Sequence, residues 1–242
     1  ADLTSSNFEA AKLNRADFRG ANLSGANFYL ADLSGVRFGL AARANKERSS
    51  SVASTDFRAS NLTDTQGLTT TSGAAFYDSN TVLAANDPVA LGWVNMPRST
   101  LQFGGQYIQT IAFSSALATT NASLAEAIIS TPNNSDWQGG SSSNLLQELA
   151  SYKVGGVGEN EPLSMVVTLD PSLQGKDVRL WHYSGAGWQE LPAVMENGNQ
   201  LAYSISDGGG IDNAPEQGVI KQSLAVSMTS APALPVPTFG NL

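Results

Sequence analysis

The chain is 242 residues long, 14% of them charged, with 13 Lys and Arg against 21 Asp and Glu for a net charge of -8, and it contains no cysteine. That length allows one or two domains with a sizeable core; the acidic balance works against nonspecific binding to nucleic acid or anionic lipid, and the missing cysteine excludes disulfides, thiolate zinc sites and cysteine nucleophiles. No apolar run approaches the roughly 20 residues that a membrane-spanning helix needs.

From Ala1 to Leu40 a Leu or Phe recurs at every fifth residue: Leu3, Phe8, Leu13, Phe18, Leu23, Phe28, Leu33 and Phe38. Neither an α-helix nor a flat strand has that period. Two residues before each stands a small side chain (Ala1, Ser6, Ala11, Ala16, Ala21, Ala26, Ala31), Val36 being the largest. The position between is mostly Asp or Asn, with Lys12 and Arg37 as exceptions, and reads as a polar ladder covering the outside. This A-[DN]-[LF]-x-x pattern resembles the pentapeptide-repeat family over residues 1–68. The resemblance implies a mainly β fold that opens with a short right-handed quadrilateral β-helix, one pentapeptide to a side. Residues one full turn apart then stack, Leu3 beneath Leu23 and Phe8 beneath Phe28, so that Leu and Phe columns alternate around the interior. The repeat is already in phase at Ala1 with no leader-like segment ahead of it, which reads as a processed or trimmed chain whose first coil has no evident cap.

The register fails at Arg43. The stretch 39–54, with its charges and successive serines, reads as a loop inserted into the coil. The register resumes at Thr55-Asp56-Phe57 and Ser60-Asn61-Leu62, and Leu68 closes the last coil one residue out of phase. This predicts a β-helix over 1–72, followed over 73–97 by a capping segment and linker that contains the turn signal Asp87-Pro88 and Trp93. Solenoids generally need several stacked units and caps, so a coil this short is expected to lean on other structure. Past Pro97, runs at Leu101–Phe113, Leu163–Leu169, Val178–Tyr183, Gln200–Ile205 and Gly218–Met228, separated by Gly, Asn and Pro clusters, predict an antiparallel β-sandwich over 98–230. Ser123–Ile129 and Asn144–Tyr152 read as helical turns, and 231–242 as a Pro-rich tail.

A second, weaker resemblance covers residues 163–227. The strand Met165-Val166-Val167-Thr168-Leu169, the segment from Gly187-Trp188 to Leu191-Pro192, and the loop from Ser206 to Asp212 followed by Gly218-Val219-Ile220 are similar to the choice-of-anchor modules of bacterial exported proteins. Leu234-Pro235-Val236-Pro237-Thr238 resembles the opening of the sorting signal that follows such modules. The resemblance implies an extracellular or cell-surface location.

Among side chains that carry chemistry, Asp207, Asp212 and Asn213 flank a glycine run, and closely spaced oxygens on a flexible backbone suit calcium; the competing reading is a tight turn in which they bond their own backbone. Glu159 and Glu161 are candidate further ligands. His182 is the sole histidine, on an alternating strand, and reads as packing. Gly155-Gly156-Val157-Gly158 lacks the Lys-Ser/Thr of a phosphate loop and reads as a turn. Trp137, Trp181, Trp188 and Tyr183 are candidates for a carbohydrate-stacking surface, weighed against burial in the sandwich. No nucleophile and base stand out together, so an enzyme is the least expected class.

The leading expectation is an exported structural or interaction protein, paired with itself or another surface protein through an open β-helix end that includes Ala1, Leu3, Phe8, Leu13 and Phe18. A head-to-tail contact there propagates as a filament or surface layer, and an isologous one stops at a dimer. The alternative is a calcium- or glycan-binding surface module. DNA mimicry, implied by the gyrase inhibitors among pentapeptide-repeat proteins, is disfavoured by the short coil and by Lys12, Arg15, Arg19, Arg37 and Arg43.

Overall fold

The computed structural model describes residues 1–43, 46–83, 86–117, 120–137 and 146–229. The chain divides into two compact units, one made of Ala1–Ser99, Leu117–Glu126 and Lys153–Glu159, the other of Thr100–Ala116, Ala127–Tyr152 and Asn160–Leu242.

The first unit is built on a four-sided coil. Parallel bridges run up its walls: Asp2, Asn22, Ser51 and Ser72 on the first, Asn7, Asn27, Asp56 and Phe76 on the second, Lys12, Asp32, Asn61 and Val82 on the third, and Asp17, Arg37 and Gln66 on the fourth. Each tier is tied to the next by backbone bonds, as from the Leu3 N–H to the Asn22 carbonyl (2.8 Å) and from Leu23 to Ser51 (2.9 Å). The expected columns form inside: Phe8 stacks on Phe28 at 4.8 Å, Phe28 on Phe57 at 5.4 Å, and Phe18 on Phe38 at 6.0 Å.

The five-residue motif makes one wall and one corner. The Asp or Asn side chain accepts the backbone N–H two residues on, as Asn22 does from Ser24 (3.2 Å) and Asn61 from Thr63 (3.1 Å), satisfying a donor that the turn would otherwise leave unpaired. The turn closes with an N–H bonded three residues back, Ala11 to the Phe8 carbonyl at 3.0 Å. Its third residue sits in the left-handed region even where it is not glycine, with φ 55° at Ala10 and 59° at Leu30. Ala21, Ala26 and Ala31 are buried, which explains the small residue of the motif.

Two boundaries differ from the sequence expectation. The insertion is narrower than 39–54: it is a hairpin of β1 (Ala41–Arg43) and β2 (Lys46–Arg48), and the coil resumes at Ser51 with Val52 fully buried. Val52 stands one repeat before Phe57, hidden in the sequence because a Val replaces Leu or Phe within a serine run. The coil also continues past 72, since Ser72, Phe76 and Val82 bridge the tier below without carrying the motif. Leu68 is buried in a 3-10 turn, Leu68–Thr70, entered through Gly67 at φ 76°. Above it β3 (Phe76–Tyr77) pairs in parallel with β4 (Val94–Asn95), and Trp93 stacks on Phe57 at 5.1 Å.

The remaining strands are β5 (Thr100–Gln102), β6 (Ile108–Ser115), β7 (Ser123–Ser130), β8 (Leu146–Gly155), β9 (Pro162–Leu169), β10 (Asp177–Tyr183), β11 (Trp188–Glu190), β12 (Val194–Glu196), β13 (Gln200–Ser206) and β14 (Val219–Thr229). They form two five-stranded sheets, ordered β11-β10-β14-β8-β7 and β12-β13-β9-β6-β5. Burial alternates as a half-buried sheet requires: Leu163, Met165, Val167 and Leu169 on β9 face Ile205, Tyr203 and Leu201 across the antiparallel ladder to β13. The predicted run Leu101–Phe113 is two strands. Ser123–Ile129 and residues 146–152 are strands β7 and β8, not helical turns. Their Leu, Glu and Ala favour helix locally, but β8 buries Leu146, Glu148, Ala150, Tyr152 and Val154 with a period of two, and tertiary packing overrides propensity. Residue 144 and the tail 231–242, with its Pro-Thr motif, lie outside the described residues.

Candidate functional site

The first coil differs from the second in a way its sequence does not announce. Leu23, Phe28 and Leu33 are fully buried, whereas Leu3, Phe8 and Leu13, of the same types on the same walls, are only partly covered, and Phe18 is nearly buried. The backbone shows the same asymmetry. In the second tier, Asn22, Asn27, Asp32 and Arg37 donate their N–H groups to carbonyls of the first. Their counterparts one turn earlier, Asp2, Asn7, Lys12 and Asp17, have no backbone partner for N–H or C=O among the described residues; the same holds for the carbonyls of Thr4, Glu9, Asn14 and Arg19. Within residues 1–242 the first coil thus presents four β-edges around a half-exposed apolar floor. Such an edge is a template for further β-pairing.

Charge is divided around this ring. Asp2 and Glu9 lie on the first two walls, Lys12 and Arg15 on the third and its corner. On the fourth, Arg19 binds Asp17 at 2.6 Å, and the Arg19 hydrogen bonds hold the Asp17 carboxyl down to about 2. Thr4 hydrogen bonds lower Asp2, with a smaller contribution from the charge of Arg48. Ala1, Leu3, Phe18, Ala21 and Ala41 line a hollow at the corner between the fourth and first walls.

The other candidates are arranged as follows. In the 207–213 loop, Asp207 accepts the Gly218 N–H (2.7 Å), and Asp212 accepts those of Gly208 (3.0 Å), Ala214 (2.8 Å) and Lys221 (3.1 Å). Asn213 donates to the Tyr183 carbonyl at 2.7 Å. These oxygens hold backbone within the loop and tie it to the start of β14, and among the described residues no group of three acidic or histidine side chains gathers as a metal site. Glu161 is buried and accepts from the Ser115 hydroxyl, while Glu159 is exposed. His182 is buried, which lowers its pKa, and its Nδ1 has no hydrogen-bond partner among the described residues.

The four aromatics do come together. Trp137 packs edge-on against Trp181 at 4.3 Å and Tyr183 against Trp188 at 5.3 Å. Trp181 and Trp188 are each only 7% exposed, and the Trp181 Nε1 donates to Ser227 at 2.8 Å. Trp181 and Trp188 therefore present no open ring face of the kind that stacks on a sugar, while Trp137 and Tyr183 are half-buried. The glycines of the 155–158 run answer to packing: a Cβ on Gly156 would lie 2.5 Å from that of Ser79, and one on Gly155 would strike Asn80.

Two polar clusters escaped the sequence reading. Buried Asp78 accepts from the Ala59 N–H (2.9 Å), the Asn80 N–H (3.0 Å) and the Ser123 hydroxyl (2.8 Å). Nearby Arg98 lies over the Tyr29 ring at 3.5 Å and reaches Asp56 at 3.4 Å. Burial raises the Asp56 pKa, but Arg58, bonded at 2.6 Å, and Arg98 outweigh it and hold the group below its usual range. In the other unit, Glu148 accepts three successive backbone N–H groups, from Gln106 (2.8 Å), Tyr107 (2.9 Å) and Ile108 (2.6 Å). Local sequence marks neither cluster as a whole, because apart from Asn80 beside Asp78 and Arg58 beside Asp56 the partners are far along the chain.

Comparison with known families agrees with the coil. Residues 1–39 match the family model described as pentapeptide repeats, in 8 copies. No curated protein matches the chain. Residues 1–39 are therefore a pentapeptide-repeat segment, of a kind often structural or interaction-mediating. No helix among the described residues is long and apolar enough to cross a membrane.

Proposed function

We propose that this protein is a non-enzymatic interaction protein that self-associates through the first coil of its β-helix and acts outside the cell. The single observation that carries the reading is the ring of unpaired backbone groups at Asp2, Asn7, Lys12 and Asp17 around the half-exposed Leu3, Phe8 and Leu13. A second copy supplies what that ring lacks: β-bonding groups and an apolar cover. The location rests on the likeness of residues 163–227 to modules of exported proteins. Sedimentation equilibrium of the chain Ala1–Leu242 tests the association: we expect reversible self-association with rising concentration, and a monomer throughout the micromolar range would refute it.

A further inference from the structure

We infer that the corner after the third wall of the coil is a binding site for an acidic sugar unit, whose anion is held by Arg15 and Arg37. Charge is shared unevenly along the chain: residues 1–58 carry 8 basic and 6 acidic side chains, within a total of 13 against 21. Three arginines of this unit are already paired, Arg19 with Asp17 and both Arg58 and Arg98 with Asp56. Arg15 and Arg37 are exposed, and their side chains form no hydrogen bond or ion pair among the described residues. Arg37 lies near enough to Asp17 to help lower its pKa, after the Arg19 hydrogen bonds.

The corner is built as a notch. Arg15, Gly35 and Asp64 take the same left-handed turn position in successive tiers, with φ of 63°, 68° and 56°. Backbone bonds stack them: the Arg15 N–H donates to the Ser34 carbonyl and the Gly35 N–H to the Thr63 carbonyl, both at 2.8 Å. The glycine leaves a gap between the two charged side chains. A Cβ there would lie 3.2 Å from the Arg15 Cγ, so the arginine stem folds across it, toward the second tier. Arg37 and Gln66, neighbours on the fourth wall, flank the gap on one side and Ser34 on the side of the third. These six residues line a hollow of about 520 Å³, within the roughly 300–1,000 Å³ of small-ligand pockets.

The lining selects its ligand by charge and polarity. Two guanidinium groups against one carboxylate match a singly charged oxyanion, which arginine binds well. Asp64 and Gln66 offer acceptors and donors to hydroxyls beside that anion. The Ser34 hydroxyl accepts from Asn14 at 2.7 Å and keeps its own proton to donate. Among the described residues no apolar side chain lines the hollow, which disfavours a peptide, whose recognition rests on pockets for its side chains. A singly charged oxyanion flanked by hydroxyls is the chemistry of a uronic acid or a sulfated sugar.

Isothermal titration calorimetry of the full chain with oligogalacturonate, a sulfated galactan oligomer and an uncharged galactan oligomer tests the site and separates the two sources of the anion. An acidic oligomer should bind and the uncharged one should not. Arg15→Ala and Arg37→Ala should each weaken binding about tenfold. Gly35→Asn should do the same by filling the notch, since Asn tolerates the left-handed turn. Lys176→Ala, which removes the same charge from an exposed position in the sandwich, should leave affinity unchanged. Circular dichroism of the two arginine variants should match that of the parent, because both side chains are exposed. No heat from either acidic oligomer would overturn the inference, as would an equal loss in Lys176→Ala or binding of the uncharged oligomer. Equally tight binding of inorganic sulfate or of polyglutamate would overturn the assignment to a sugar. None of these outcomes bears on self-association.

Discussion

The β-helix and the sandwich are both ladders of β-bridges, but they finish their edges differently. In the sandwich three of the four outer strands, β5, β11 and β12, are each only 3 residues long. The fourth, β7, carries Glu126 at φ 57°, a backbone irregularity of the kind that interrupts pairing. Those are ways in which sheets avoid adding strands. The first coil has none of them: within residues 1–242 its four walls leave N–H and C=O groups without backbone partners. The contrast is what points the proposed association to the coil.

The contrast is sharpest at the aromatic column. Phe28 is fully buried between Phe8 and Phe57, so Phe28→Ala should cost about 3–5 kcal/mol. Phe8→Ala, at the half-exposed floor, should cost clearly less in the monomer while weakening association. Denaturant titration at low and high protein concentration separates the two, and equal losses at low concentration would contradict the picture of an open floor. In the sandwich, Glu148→Ala strands three backbone donors and should cost on the order of 3 kcal/mol.

Corner geometry predicts a smaller effect of opposite sign. Ala10 and Ala59 both sit at φ 55°, and relieving a left-handed non-glycine residue favours glycine by up to about 1 kcal/mol. Ala10→Gly and Ala59→Gly should therefore raise the melting temperature, although glycine lowers it in most strands; a drop would show that the turns prefer a side chain.

Acid should separate the units as well. Burial holds His182 in the sandwich below its ordinary value of 6.5, so its contribution is whole above that value and is lost as pH falls toward the folded pKa. Asp56 on the coil is held below its ordinary 3.8, so its contribution persists until pH falls through the lowered value. Melting curves should show a gentle decline from about pH 7.5 to about 5 that His182→Gln abolishes and, when the scan is carried on to about pH 2, a further loss below about pH 4. The smallest expected effect is that of calcium, since the Asp207 and Asp212 oxygens already bond their loop. Added calcium should leave the melting temperature unmoved, and a rise lost in Asp207→Ala would establish a metal site.

The two regions also differ in how plainly the chain declares them. The coil repeats one local rule, and its interior and ladder are legible from the spacing of Leu and Phe and from Asp or Asn beside them. Where the rule changes residue, as at Val52, or gives way to irregular chain, as from Ser72 to Val82, the spacing no longer marks the coil although the coil continues. The sandwich obeys long-range pairing, so β8 reads locally as a helical turn and nothing beside Glu148 announces its partners. The candidate edge was half legible: the sequence supplied its residues, but which backbone groups stay unpaired follows only from the stacking.

The central claim is that the first-coil edge is a pairing surface for a second copy. Amide hydrogen exchange at Asp2, Asn7, Lys12 and Asp17, followed as protein concentration rises, tests it most directly. The account predicts fast exchange at low concentration and protection growing as the protein associates. If those amides exchange freely at concentrations where the protein is associated, the edge is not the interface and the account is wrong.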